Sequence, residues 1–182
     1  DIDNHSGIIQ GTDLNMVSKN FNNSEGNINA QGTINIDSSG NLINNKGSIN
    51  STKDAQINSD ILNNDKGVIS SQASLTTHST SLDNSGQIYS KDQTSITSKD
   101  AITNSGTIAS AGNTNISAGS LTQTGSGSLV AGMDTEGKLI EGNASNLTVN
   151  TTGNLVSQGQ HIATGNVSLT GADVTLEGST TS

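Results

Sequence analysis

One phrase recurs through the first two thirds of the chain: an apolar residue, any residue, an asparagine, and a few positions later Gly-x-Ile. It reads Ile2-x-Asn4 with Gly7-x-Ile9, then Phe21-x-Asn23 with Gly26-x-Ile28, then Leu42-x-Asn44 with Gly47-x-Ile49. Leu62-x-Asn64 follows with Gly67-x-Ile69, Leu82-x-Asn84 with Gly86-x-Ile88, and Ile102-x-Asn104 with Gly106-x-Ile108. A variant closes the series at Leu121-x-Gln123, Gly127 and Leu129. The period is 19 to 21 residues. A unit that short cannot bury its own apolar face, so it must stack against copies of itself.

Within each unit a third apolar column falls eight residues past the Gly-x-Ile anchor, at Val17, Ile36, Ile57, Thr77, Ile96 and Ile116. Two positions earlier stand Ile34, Ala55, Leu75, Thr94 and Thr114. Spacing by two, with polar residues between, is the strand period. Turn-forming residues mark the joints: Gln31-Gly32, Ser51-Thr52-Lys53-Asp54, Lys91-Asp92-Gln93 and Ala111-Gly112-Asn113. The pattern predicts an all-β chain, a parallel β-helix (β-solenoid) with about three short strands per coil of roughly 20 residues.

That architecture answers a difficulty in the composition. Leu, Ile, Val and Phe make up roughly a fifth of the 182 residues, close to the level at which disorder is the default expectation. A core rebuilt at every coil needs few apolar residues per unit. The charge of -9 and the want of basic clusters argue against nucleic acid as a partner. No apolar run approaches a membrane-spanning helix, so the chain is expected not to be membrane-inserted. With no cysteine, disulfides and thiolate metal sites are excluded.

The asparagine column, Asn4, Asn23, Asn44, Asn64, Asn84 and Asn104, sits two residues after an inward anchor, so these amides should face inward and bond to one another from coil to coil. After Leu129 the register changes. Residues 1–131 are expected to form regular coils, 132–145 a corner insertion, and 146–182 further coils in altered register. The inward residues expected there are Leu147, Val149, Leu155, Ile162, Val167, Leu169, Val174 and Leu176. The insertion reads either as a solvated loop or as a partner-contact loop. In the second case Asp134, Glu136, Lys138 and Glu141 are the contact candidates.

The phrase "LNNxGxI", seen from Leu62 to Ile69, resembles the haemagglutinin repeats of two-partner secretion exoproteins, the family of filamentous haemagglutinin and the contact-dependent growth inhibition effectors. The segments Ser128 to Leu139 and Gly153 to Ser179 are similar to parts of those proteins. The resemblance implies a right-handed β-helix, secreted to the surface of a Gram-negative bacterium through an outer-membrane partner transporter. Such shafts hold adhesive, receptor-binding or toxin regions away from the cell. A host or target-cell receptor, or a glycan, is then the expected partner of the parent protein. The alternative is that this section itself binds one.

Enzymes also use parallel β-helices, and their chemistry requires particular constellations of side chains. Asp54 and Asp92 occupy equivalent turns, but paired carboxylates across a cleft are needed for glycoside hydrolysis, and the chain has no arginine for lyase chemistry. No catalytic residue, cofactor or metal is expected: His5, His78 and His161 fall in well-separated coils. Tyr89 alternates with inward Ile88 and is expected to be exposed, whereas Phe21 belongs to the core. The pattern starts and stops abruptly at Asp1 and Ser182, which suggests a piece of a longer stack whose bare ends would favour end-to-end association.

Overall fold

The computed structural model describes residues 1–182 and consists of strands and turns without a helix. The chain winds as a parallel β-solenoid. Nine short strands, from Ile8–Gly11 to Ser179–Thr181, stack in register into one sheet, and a 12-stranded sheet closes the rest of each coil. Every strand pairs with strands one coil away, and all these pairings are parallel.

Three inward faces line each coil. In the nine-stranded sheet Ile28, Ile49, Ile69, Ile88, Ile108 and Leu129 lie directly over one another, each fully buried. A second column runs Phe21, Leu42, Leu62, Leu82, Ile102, Leu121 and Leu155. The third is Met16, Ile36, Ile57, Thr77, Ile96, Ile116 and Val149. Twenty-seven buried residues form one continuous core. Each buried Ile or Leu contributes about 1.5–3 kcal/mol relative to exposure, and the stack collects that term at every coil. In the middle coils the second and third faces belong to single bent strands such as Ile34–Ile43 and Ala55–Asn64. They remain separate strands near the start, at Leu14–Ser18 and Phe21–Asn22. Small buried residues, Ser38, Ser98 and Ala118, stand at the bend, where the register shifts after Ser38 and after Ser98.

The first coil corrects one expectation. Val17 is 70% exposed and Met16 is the core residue, paired with Ile36. Three residues' travel separates Gly11 from Leu14, against four from Ala30 to Ile34, so the first turn is one residue shorter. A one-residue slip in a strand exchanges its two faces. After the insertion the expected residue is also one position off, although here the chain keeps the repeat's spacing, Gly159-x-His161. His161, not Ile162, continues the isoleucine column, stacked on Leu129 and fully buried.

The asparagines form a ladder. Asn4 Nδ2 donates to Asn23 Oδ1 at 2.7 Å, Asn23 to Asn44 at 2.7 Å, and Asn44 to Asn64, Asn64 to Asn84 and Asn84 to Asn104 at 2.8 Å each. Asn23, Asn44 and Asn64 also donate to a strand carbonyl of the next coil, Ser48, Val68 and Gln87, at 3.2 Å. A buried amide is costly unless it is bonded, and here one column satisfies itself. The corner that follows holds Ser6, Glu25, Lys46 and Lys66 at positive φ, between 52° and 55°. Each precedes the repeat glycine, and at Gly67 a Cβ would run into the Asn44 carbonyl oxygen. That close approach explains why the repeat carries glycine there. After Asn84 and Asn104 the corner is one residue shorter and no residue takes positive φ, which accounts for part of the variation in period.

Candidate functional site

The regular surface is broken in one place. The strand Ser128–Ala131 ends at a corner, and the next, Leu147–Thr151, begins only after the intervening residues have left the coil and returned. Gly132 takes φ of +83° and starts the departure. Met133 and Leu139 then form an antiparallel bridge, which makes the excursion a small hairpin. Asp134 organises its tip: one carboxylate oxygen accepts the backbone N–H of Glu136 at 3.0 Å and of Lys138 at 2.8 Å. Gly137, at φ of +81°, closes the turn and donates to the Asp134 carbonyl. On the return, Asn143 Nδ2 donates to the Ala111 carbonyl at 2.8 Å and Ser145 Oγ to the same oxygen at 3.1 Å.

The hairpin lies against the outer face of the nine-stranded sheet. There the outward column turns apolar: Tyr89, Ala109, Val130 and Ile162 are stacked in register. The first three are buried, with Met133 and Ile162 packed against them. Tyr89 Oη donates to the Met133 carbonyl at 3.0 Å. Burial, then the charges of Asp134 and Glu136, push its phenol above the ordinary tyrosine range, so it stays a donor. Tyr89 thus points away from the coil as expected, but at 5% exposure it is not a free aromatic. Its neighbours carried the signal: four outward positions in one column become apolar next to the insertion.

Of the four contact candidates, Asp134 is half-buried and engaged in its own turn, while Glu136, Lys138 and Glu141 are exposed. The structure brings the first three to one hairpin and leaves Glu141 on the returning limb.

Two of the turn carboxylates, Asp54 and Asp13, serve the stack. Asp54 accepts the backbone N–H of Ser74 in the next coil at 3.0 Å. Asp13 does the same for Thr33, accepting both its N–H at 2.7 Å and its hydroxyl at 2.9 Å. The backbone bond, then the hydroxyl bond, hold Asp13 below the usual carboxylate range. His5 and His78 are exposed and His161 is in the core, and no three His, Cys, Asp or Glu side chains gather as metal ligands.

A coil-by-coil column of identical residues is what a repeat-family comparison can register. The model of the haemagglutinin repeat matches residues 1–46, 43–106, 74–139 and 142–180, nearly the whole chain. The chain belongs to the haemagglutinin repeat family. Haemagglutinin repeats are structural and adhesin-type rather than enzymatic, and they imply a secreted or surface protein in a two-partner secretion context. No curated protein and no solved structure matches the chain. No helix is long and apolar enough to cross a membrane.

Proposed function

We propose that this chain is a length of the extracellular shaft of a large adhesin or contact-dependent inhibition effector, exported from a Gram-negative bacterium through an outer-membrane partner transporter. The observation that carries the reading is the unbroken stack: one core and one asparagine ladder run through successive coils with no catalytic constellation beside them. Nine coils at about 4.8 Å each span roughly 40 Å, which is reach rather than chemistry. The parent's adhesive, receptor-binding or toxin regions would be carried at a distance from the cell.

The test exchanges residues 1–182 in the exported protein for an unrelated β-solenoid with the same number of coils. Attachment to target cells should persist if the section supplies length, and its loss would overturn the shaft reading. A second reading is favoured by the ordered hairpin, whose Glu136, Lys138 and Glu141 stand exposed on a rigid base. In it the section itself contacts a receptor or glycan. Replacing those three residues by serine in the exported protein would then abolish attachment while leaving export intact.

A further inference from the structure

The outward column of the nine-stranded sheet has two halves. From Tyr89 to Ile162 it is apolar and lies against the hairpin. Before Tyr89 it reads Gln10, Asn29, Asn50 and Ser70, in register, and nothing in the chain covers it. This half opens into a cleft of about 620 Å³ at the corner where the sheet ends. The lining also takes in the residues two further on in each coil, chiefly Gln31, Thr52 and Gln72. It draws on successive coils, so the cleft runs along the axis of the stack.

Its chemistry is uniform. Side-chain amides and hydroxyls line it, with Ala30 the only apolar residue and no charged one. Part of the lining is held in place: Asn50 Nδ2 donates to Asn29 Oδ1 at 3.2 Å, and Ser70 Oγ to Asn50 Oδ1 at 2.7 Å. The side-chain amides of Gln10, Gln31 and Gln72 have no partner within the chain and are exposed. Neutral donors and acceptors therefore recur at the coil spacing of about 4.8 Å. An apolar helix would find nothing here to bury against. An added peptide strand needs a free sheet edge; of the strands lining the cleft only Ile8–Gly11, the last in its sheet, has one, and the others are bonded to neighbours on both sides. Phosphate or sulfate would find no cation on the walls. A chain of neutral hydroxyls matches that chemistry.

We propose that this cleft binds a neutral polysaccharide, laid along successive coils and stopped at Tyr89 by the hairpin. The site does not depend on the shaft reading, because a binding surface and a spacer can share one stack. It is tested with the isolated chain by native electrophoresis in gels containing dextran, galactomannan or hydroxyethylcellulose, with heparin as the anionic counterpart. The charge of -9 drives migration, and mobility is referred to gels without polysaccharide. At least one neutral polymer should retard the chain, and heparin should not. Gln31→Glu with Gln72→Glu, both on exposed side chains, should weaken that retardation at least tenfold with an unchanged melting temperature. Ser70→Tyr, which extends the Tyr89 column into the cleft, should do the same. Migration unaltered by all three neutral polymers, retardation by heparin alone, or equal retardation of the variants would each overturn the proposal. The swap of whole solenoids tests reach in the exported protein, so failure of one reading is separable from failure of the other.

Discussion

The coils before the hairpin and the coil after it are built on the same plan but differ in how their amide ladder and isoleucine column are filled. Buried hydroxyls without a partner, at Ser59, Thr77 and Ser79, occur in the regular coils as well. From Asn4 to Asn104 every amide of the ladder reaches the next one, and the neighbouring column is isoleucine from Ile28 to Ile108. Beyond that, Gln123 replaces asparagine and leaves its Oε1 buried without a partner, and Ser157 follows it in register. The isoleucine column passes through Leu129 to His161, whose Nε2 is also buried and unpartnered. Stability in a repeat array is close to a sum of unit and nearest-neighbour terms, so such defects act locally. With the amide ladder ended at Ser157 and an imidazole in the isoleucine column at His161, the coil containing Leu147 to Ala163 should open before those around Ile69.

The largest effect that sharpens this contrast lies in the regular half. Ile69→Asp places an unpaired charge between two isoleucines and should cost about 4 kcal/mol or more, whereas Ser70→Asp, on the outer face, should cost under about 1 kcal/mol. Chemical denaturation of the two variants measures the difference, and equal midpoints would mean that the facing is wrong.

Next in size is the ladder. Asn64→Leu leaves Asn44 Nδ2 only the Val68 carbonyl and strands the Oδ1 of Asn84, and should cost about 2–3 kcal/mol. Asn63→Leu loses only a bond from the Asp65 N–H at its rim and should cost under about 1 kcal/mol. A reversed order in thermal melts would break the claim that the regular coils are held by their amides.

The smallest effect belongs to the coil after the hairpin. Burial, only partly opposed by a backbone bond involving Ser179, lowers the His161 pKa below its ordinary 6.5. The unfolded chain then binds more protons than the folded one once pH drops below about 6.5. The stability this neutral histidine permits is complete above that value and is lost progressively as pH falls towards the folded pKa. Hydrogen exchange at Leu155 and His161 should accelerate between pH 7.5 and 5.5 relative to Ile69, after correction for intrinsic rates. His161→Leu should remove that relative change and slow exchange at both pH values. Uniform behaviour along the stack would erase the proposed difference between the two regions.

How far these features could be read in advance follows from the same division. The isoleucine, leucine and asparagine columns were legible because each inward residue is restated once per coil. Met16 was not, because one shortened turn before Leu14 shifts a single strand and the period-two pattern flips with it. His161 escaped for a related reason: residues 132–146 destroy the count from one coil to the next, and Ile162 is the more apolar of the adjacent pair. Tyr89 faces outward as alternation requires. Its burial depends on a hairpin 44 residues away in sequence that no repeat specifies.

The stack itself, one coil against the next, is tested most directly by cross-linking, since the chain has no cysteine to interfere. Asn35 and Gln56 are register partners in adjacent coils, and both are exposed. With cysteine at both positions, their Cα atoms about 4.8 Å apart suit a disulfide. Asn35 and Thr76 lie two coils apart, about 10 Å, which is beyond disulfide reach. Under mild oxidation the stack predicts near-complete closure for Asn35→Cys with Gln56→Cys and almost none for Asn35→Cys with Thr76→Cys. Comparable closure of the two pairs would contradict it, because that is how an unstacked chain behaves.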